Sequence, residues 1–405
     1  MFGRKTKITL ISLLLLSVSS FLFGDAYFTG RTGGKFDLQA KQSEDTFIPA
    51  LSFQAFFSGQ LNFSKNIWSH IEFSIDTDDL ITKTLFSKTD SKFQLDELSV
   101  IFRYNRLAMN NYFSVYMGTY DPIGSDIFLQ RQFGISPITS KITESWMGLA
   151  GSLLYPHFGI GISDVIRFSS PVSAGIYTYF NHEDKDYYVF NADFRLAGIY
   201  RYFTYDLAAG IGAPIATAAQ TDTLLAIETI YWHAGTTMLF GNNHTTSLFI
   251  QSGIFNASFT PNDSGLCFDK KDFYLLAEPR FCGKTTRLNI SFYSLPEKTV
   301  NELLFVNDTL GINLNIFYDS LKTVNNTVNF GIHAAISFPN RTIFDLDKFM
   351  GDLEQLNFNI YATPYISANV LKGELNAMIS ANIMSLVRGP LYKFIDFNIG
   401  YKTSF

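Results

Sequence analysis

Charged residues are scarce in this chain of 405 residues. Asp, Glu, Lys and Arg together make up 17%, whereas ordinary soluble proteins contain about 25%. The net charge is −5, and the Lys and Arg residues are scattered rather than gathered into a stripe. This excludes the basic surface that nucleic-acid binding requires, so we expect no nucleic-acid partner.

Long apolar runs are also lacking. Beyond the N-terminus no stretch reaches the ~18 apolar residues that cross a bilayer as a helix, and the mean hydropathy is close to zero. Aromatic residues, in contrast, reach 16% and include 41 Phe and 21 Tyr. A closed β-barrel is the other structure that spans a bilayer with all backbone groups hydrogen-bonded, and its side chains alternate between lipid and lumen. The composition therefore favours a transmembrane barrel.

Cysteine and catalytic motifs are equally sparse. The two cysteines, Cys267 and Cys282, are too few for a disulfide framework and form no zinc-binding pattern with His. No GxSxG, HExxH, P-loop or dinucleotide-binding fingerprint is present. We therefore expect no enzymatic activity, no cofactor and no metal site.

The N-terminus has the layout of an export signal. Arg4, Lys5 and Lys7 precede an apolar stretch from Ile8 to Val18, and small polar residues follow. Residues 1–24 thus resemble a secretory signal peptide, with cleavage expected near residues 24–26. A single membrane-anchor helix is the alternative. Residues 25–405 are then expected to form one barrel domain.

Period-two alternation runs through the rest of the chain. In 327–338, Val328, Phe330 and Ile332 continue as one apolar face, while the residues between them carry no large apolar side chain. This alternation is typical of β-strands. It recurs in 66–76, 112–119, 190–196, 202–211, 287–293, 311–319, 356–361 and 374–383. A soluble β-sandwich also alternates, but its polar face usually carries Lys and Glu, whereas here Asn, Ser, Thr, Gly and Tyr predominate.

Short turns alternate with long polar connections. The short turns are 64–66, 155–157, 241–244, 283–285 and 371–373, and the long connections are 78–92, 120–146, 257–271, 296–308 and 339–354. This predicts an all-β, antiparallel up-and-down barrel of about 18 strands, or 16 or 14, with short periplasmic turns and longer extracellular loops. Two places leave the strand count open: Pro171 either interrupts or separates strands within 157–181, and Glu228 breaks the phase of 223–240. The topology places Cys267 and Cys282 at opposite rims.

The last strand resembles the β-signal of bacterial outer-membrane proteins. Asn398, Gly400, Tyr401 and Phe405 match its polar, glycine and hydrophobic positions, whereas Thr403 occupies a position that is usually hydrophobic. The resemblance implies recognition by the outer-membrane insertion machinery and a barrel embedded in outer-membrane lipid. It also implies that the last strand pairs with the first.

Charged residues assigned to the lumen are the candidates for a constriction that sets selectivity. They are Glu72, Asp76, Arg103, Asp126, Arg131, Asp193, Arg195, Asp206, Glu278, Arg280 and Glu374. In general porins a long loop after an early strand folds inward, and segment 120–146 resembles it in length and position. An outward surface loop is the alternative.

The leading functional hypothesis is a porin-like channel for passive diffusion of small solutes. A hydrophobic-substrate transporter of the fatty-acid type is less favoured, because too few residues precede the first strand to form a plug. A surface adhesin or structural barrel acting through its loops is a third hypothesis. The solute and the oligomeric state are not encoded in any pattern of the sequence.

Overall fold

The computed structural model describes residues 26–43, 46–77, 79–81, 91–106, 109–143, 158–182, 188–215, 230–260, 265–300, 303, 305–318, 328–388 and 395–405. Its strands form one antiparallel sheet in which each pairs with its neighbours in sequence. They are β1 (Tyr27–Ser43), β2 (Thr46–Ser64), β3 (Ile67–Thr77), β4 (Ser91–Arg106), β5 (Met109–Gly118), β6 (Gly159–Arg167), β7 (Val172–Asn181), β8 (Tyr188–Tyr200), β9 (Phe203–Ile215), β10 (Ile230–Gly241), β11 (Ser247–Thr260), β12 (Gly265–Cys267), β13 (Phe273–Cys282), β14 (Thr286–Ser294), β15 (Leu310–Tyr318), β16 (Val328–Phe338), β17 (Asn359–Val370), β18 (Gly373–Asn382) and β19 (Ile395–Ser404).

The sheet closes into a barrel because β1 pairs with β2 on one side and with β19 on the other. β12 and β13 both pair with β11, at its Ser258–Thr260 and Ser247–Ile254 stretches respectively, so they share one place in the wall. The 19 strands therefore make an 18-stranded barrel. The predicted fold class and strand number are confirmed.

One rim carries tight turns. Two residues connect β2 to β3, β8 to β9 and β17 to β18. In the last of these, Leu371 and Lys372 both have positive φ, which is the backbone of the hairpin turn that matches the twist of the flanking strands. Pro171 lies in the turn between β6 and β7, so it separates two strands.

The other rim carries most of the long connections. The longest is 119–158, which joins β5 to its direct neighbour β6. The predicted short turn at 155–157 falls within this connection. It lies outside the described residues, as do Glu228 and the predicted signal peptide.

The outer surface is apolar, as expected for a wall in contact with lipid. Large side chains such as Phe93, Ile176 and Phe330 are each about 60–70% exposed along alternating positions. The inward positions between them are polar and largely buried, as at Ser114, Ser291 and Asn313. No helix in the described part of the chain is long and apolar enough to cross a membrane.

Short helical segments occur only in the connections of the described residues. They are α1 (Ile127–Phe133), α2 (Glu297–Val300), α3 (Phe349–Glu354) and α4 (Met384–Arg388), with 3-10 turns at Lys141–Thr143, Lys270–Asp272 and Ile343–Lys348. α1 contains fully buried Phe128 and Leu129. Both belong to a hydrophobic cluster with inward residues of the wall, including Val165 and Tyr177.

The two cysteines lie at opposite ends of the wall. The backbone of Cys267 is opposite Ser258 of β11, whereas Cys282 ends β13 and its Sγ lies 3.3 Å from the backbone oxygen of His244, in the turn before β11. About eleven residues of β11 separate the two positions, which at ~3.3 Å per residue is far beyond the ~7 Å limit for a disulfide. The structure agrees with the predicted placement.

Candidate functional site: the lumen and its inward loop

The polypeptide chain turns from the wall into the lumen after Gly118, the last residue of β5. Gly118 has φ +120, and a Cβ there would lie 2.3 Å from the backbone oxygen of Asp96, so both conformation and space favour glycine. The next residue, Thr119, donates its N–H to that same oxygen at 2.7 Å. From here residues 119–143, which we call the inward loop, leave the wall.

A β-bulge in β4 prepares the wall to receive this loop. The register between β3 and β4 shifts between Glu72 and Phe73, so Asp96 is an extra residue on β4. As a result Asp96 and Glu97 are both buried on the inward side. Glu97 lies directly opposite Glu72 in the register, and this brings two carboxylates together on neighbouring strands.

Arg131 of α1 links the inward loop to this acidic part of the wall. Its guanidinium lies 2.6 Å from Glu97 of β4 and 2.7 Å from Asp121 of the loop itself. Asp121 also accepts a hydrogen bond from the Tyr177 hydroxyl of β7 at 2.9 Å. The planar guanidinium binds two carboxylates at once, which an ammonium group does less well.

Arg195 of β8 provides a second attachment. It forms two hydrogen bonds with Asp206 of β9, at 2.8 and 2.5 Å, and donates a third to the backbone oxygen of Asp121. Its guanidinium also lies 4.7 Å from the ring centre of Phe128 in α1. The pair is therefore a wall-to-loop contact rather than a free charge in the channel.

Glu278 of β13 provides a third attachment. It accepts hydrogen bonds from Ser140 of the inward loop and from Ser291 of β14, and it lies 2.8 Å from Arg280. Asn243, in the turn between β10 and β11, accepts from Arg280 and donates to the backbone oxygen of Pro137 at 2.6 Å. The inward loop thus reaches the rim that carries the tight turns.

Gln251 of β11 donates to the backbone oxygen of Gly124 at 2.9 Å, which adds another contact across the interior. Together these contacts come from β4, from β8 and from the neighbouring strands β11 and β13, which are three separate parts of the barrel wall. A segment that reaches all of them lies inside the lumen. This arrangement agrees with the hypothesis that the connection after β5 folds into the lumen. It does not agree with the alternative of an outward surface loop.

Asp126 was a candidate for a constriction residue, but its contacts are within the inward loop. It is fully buried within the inward loop, where it accepts from the backbone N–H of Ile138 at 2.7 Å and from Gln130 at 2.6 Å. Its carboxylate therefore fixes the loop conformation and does not face the open channel. Burial raises the pKa of Asp126, while these hydrogen bonds oppose the shift.

The remaining predicted lumen residues are distributed over the wall. Glu72 is buried with His70 at 3.6 Å, and Asp76 is exposed on the same strand. Arg103 bonds Asn110 near the tight-turn rim. Asp193 contacts Tyr179 and His233, and Glu374 lies 3.3 Å from Lys402. These groups do not form one ring.

Asp96, Glu97 and Asp121 were not among the sequence-based candidates, although they organise the site. The signal for Glu97 was present: the outward residues Phe93 and Leu95 are followed by Leu98 rather than by residue 97, so the alternation changes phase. Such a change is the sequence mark of a bulge. Asp121 could not be recognised, because its partners are distant in sequence.

A second connection also turns inward. Phe305, between β14 and β15, stacks on His333 of β16 with ring centres 3.9 Å apart. Its backbone oxygen accepts from Asn313 at 3.4 Å. Asp308 of the same connection accepts from Asn359 at 2.8 Å. This segment narrows the lumen from the β15–β17 side.

The lumen opens at the tight-turn rim into a cavity of about 530 Å³. Gln60, Asn62 and Trp68 lie on its wall, with Tyr27 and Lys65 at the edge. A cavity of this size accommodates water and small solutes.

Fold and interior together define a class: a closed β-barrel of porin-like architecture, with an apolar exterior, a polar interior and connections folded into the lumen. No family model and no curated protein matches the sequence.

Several solved structures resemble this fold over nearly the whole chain. OccAB3 of Acinetobacter baumannii has a TM-score of 0.53 and 8% identity, covering 95% of this chain and all of that one. OpdL of Pseudomonas aeruginosa has a TM-score of 0.51 and 10% identity, covering 95% and 99%. The P. aeruginosa outer membrane protein opdK has a TM-score of 0.52 and 9% identity, covering 94% and 99%. At such identities the likeness concerns the fold.

Proposed function

We propose that the protein is an outer-membrane channel through which small hydrophilic solutes diffuse passively. The observation that carries the proposal is the inward loop, held by Arg131, Arg195 and Glu278 to three separate parts of the wall. A barrel that acted only through its outer loops would not need a segment anchored inside its lumen. Narrowing a water-filled lumen gives such a segment a role.

The proposal includes export by residues 1–24, insertion by the outer-membrane machinery through the strand that ends at Phe405, and no catalytic activity. The solved structures with the same fold include one described as an outer membrane protein, which supports this location. A polar inner wall supports hydrophilic rather than hydrophobic solutes.

Planar-bilayer recordings of the purified full chain test the proposal. We expect stable, stepwise ion conductance at constant voltage. Proteoliposomes that contain folded, heat-modifiable barrel but show no conductance would overturn the channel and favour the adhesin or the hydrophobic-substrate transporter. Binding of long-chain fatty acid to the silent protein would then separate those two.

A further inference from the structure

The two rims of the barrel differ in charge. The tight turns that the structure describes are 65–66, 168–171, 201–202, 242–246, 283–285 and 371–372. Four charged side chains lie in them, all cationic and all exposed, and no Asp or Glu does. We call these four the basic rim: Lys65, Arg201, Lys284 and Lys372.

The opposite rim carries charges of both signs. Its cations have acidic neighbours there: Arg341 lies 2.6 Å from Asp352, and Lys348 lies 2.9 Å from Asp345. Within the described part of the chain, the cations of the basic rim form no such ion pair. Glu374, two residues after Lys372, pairs with Lys402 at 3.3 Å instead. The described acidic side chains therefore leave the charge of the basic rim uncompensated.

The basic rim surrounds the barrel. Its cations lie between β2 and β3, β8 and β9, β13 and β14, and β17 and β18, which places them six, four, four and four strands apart in the 18-stranded wall. Four strands correspond to at least about 19 Å along the rim, roughly twice the Debye length at physiological salt. Each cation therefore acts on a separate ligand. A partner protein docked on one side would leave most of them uncontacted, whereas a lipid leaflet encircles the barrel.

Exposed apolar side chains lie beside two of these cations. Leu371, next to Lys372, is 86% exposed, and Tyr202 is 63% exposed with the Arg201 guanidinium 4.9 Å from its ring centre. Water alone would leave this apolar surface unfavourably hydrated. The boundary between lipid headgroups and acyl chains accommodates aromatic and apolar groups next to Lys and Arg, whose stems lie along apolar surface while their charged ends reach the headgroups.

We propose that the basic rim binds the phosphates of anionic phospholipids in the periplasmic leaflet of the outer membrane. The inference rests on the proposed outer-membrane location, in which the tight turns face the periplasm. The planar guanidinium of Arg201 matches phosphate oxygens, and the ammonium groups of the three lysines attract phosphate as point charges. Four attachments spread around the circumference hold this end of the barrel at the level of the headgroups.

Lipid selectivity of the reconstituted full chain tests the proposal. Electron paramagnetic resonance compares the association of spin-labelled phosphatidylglycerol with that of spin-labelled phosphatidylcholine in phosphatidylcholine vesicles. We expect the anionic lipid to associate about threefold to fivefold more strongly, because each cation near the membrane surface attracts one anionic headgroup. Salt at 1 M should remove most of this preference. Equal association of the two lipids at low salt would overturn the proposal and favour an acidic protein as the ligand of this rim.

Two variants with the same change in net charge locate the contact. The first removes the basic rim and should bring the association of the two lipids close to equal. The second removes four cations from the connections at the opposite rim and should keep the preference, since acidic neighbours already offset those charges. Heat-modifiable migration confirms that both barrels are folded. Loss of the preference in both variants, or in neither, would contradict the assignment. The substitutions are Lys65→Gln, Arg201→Gln, Lys284→Gln and Lys372→Gln in the first, and Lys270→Gln, Lys271→Gln, Lys348→Gln and Arg388→Gln in the second.

Lipid association is measured without any ion current, so its outcome is independent of the channel function. A conducting barrel without lipid preference contradicts only this inference. A silent barrel that prefers phosphatidylglycerol contradicts only the channel. The two failures are therefore distinguishable with the same reconstituted protein.

Discussion

Arg131 on the inward loop and Glu97 on β4 are 34 residues apart in sequence, yet two guanidinium–carboxylate contacts of 2.6 and 2.7 Å join them inside the barrel. Glu97 is completely buried, and Arg131 is 22% exposed. Breaking a largely buried pair leaves an uncompensated charge, which costs more than the pair itself contributes.

Arg131→Met should therefore lower the free energy of unfolding by about 3 kcal/mol, because the Glu97 carboxylate would remain buried without its partner. Urea unfolding in detergent micelles measures this change. The double variant Arg131→Met with Glu97→Gln should recover part of the loss, and Lys402→Gln, at an exposed pair, should cost less than about 1 kcal/mol. A double variant as unstable as the sum of the two single variants would contradict the pairing.

Deletion of 125–140 should raise single-channel conductance, because it removes α1 and the attachment at Ser140 from the lumen. The barrel strands are untouched by this deletion, and heat-modifiable migration confirms that the variant is folded. Conductance equal to that of the wild type would exclude the inward loop as a constriction.

Gly118→Ala should destabilise the entry of the inward loop. At this position φ is +120 and a Cβ would approach the Asp96 backbone oxygen to 2.3 Å, so strain of at least about 1–3 kcal/mol is expected. Gly134→Ala is the matched control, since Gly134 also has positive φ but its Cβ would meet nothing within 4 Å. Thermal unfolding should show the larger loss for Gly118→Ala, and equal losses would exclude the steric cause.

Phe405→Ala should slow barrel closure. Phe405 and Gly30 exchange two backbone hydrogen bonds of 2.9 Å, and the Phe405 ring lies 5.6 Å from Phe28 and 6.0 Å from Phe57. Folding into liposomes, followed by heat-modifiable migration, should be slower for the variant. If the β-signal resemblance is functional, the slowing should be greater when purified insertion machinery is present, and an equal effect in both assays would assign Phe405 to closure alone.

The connection between β16 and β17 should keep its structure in mild acid. Hydrogen bonds from Arg341 lower the pKa of Asp352 below its ordinary 3.8, and hydrogen bonds from Lys348 and Thr342 lower that of Asp345. Since both folded pKa values are depressed, their stabilisation is present above the unfolded pKa and is lost as pH falls through the folded values.

Corrected hydrogen-exchange protection of the Asn357 and Asp345 amides, which bond within this connection, measures the effect. Protection should persist at pH values down to the ordinary Asp pKa of 3.8 and fall below it. Arg341→Gln should move the loss at Asn357 to higher pH. Protection that does not depend on pH in this range would contradict the assignment.

Much of the fold could be predicted because the alternation of side chains along each barrel strand is a local pattern in the sequence. Phe330 and Ile332 face lipid and His333 faces the lumen through strand geometry alone, so alternation read from the sequence predicted which face each side chain lies on and a strand number near 18. Pro171 left open whether one strand or two lie within 157–181, and the bulge indicated by the phase change before Leu98 was not predicted.

The candidate site was predicted only in part. Arg131, Arg195 and Glu278 were assigned to the interior, because parity assigns a strand residue to one face and because the loop was long enough to enter; in the structure they form the contacts between wall and loop. Their partners were not predictable. Asp121 and Ser140 lie in irregular segments, where no period relates sequence position to direction.

The sequence by itself determined that this chain alternates along its length and ends in a strand suited to close a barrel, since each strand's two faces follow from successive side chains. Only the tertiary structure decided what the interior charges do. Arg195 and Asp206 meet because β8 and β9 are adjacent, but Arg195 reaches Asp121 and Ser140 reaches Glu278 because closure brings distant walls within range of one inward loop. Closure and the path of that loop are global properties, which no local pattern in the sequence specifies.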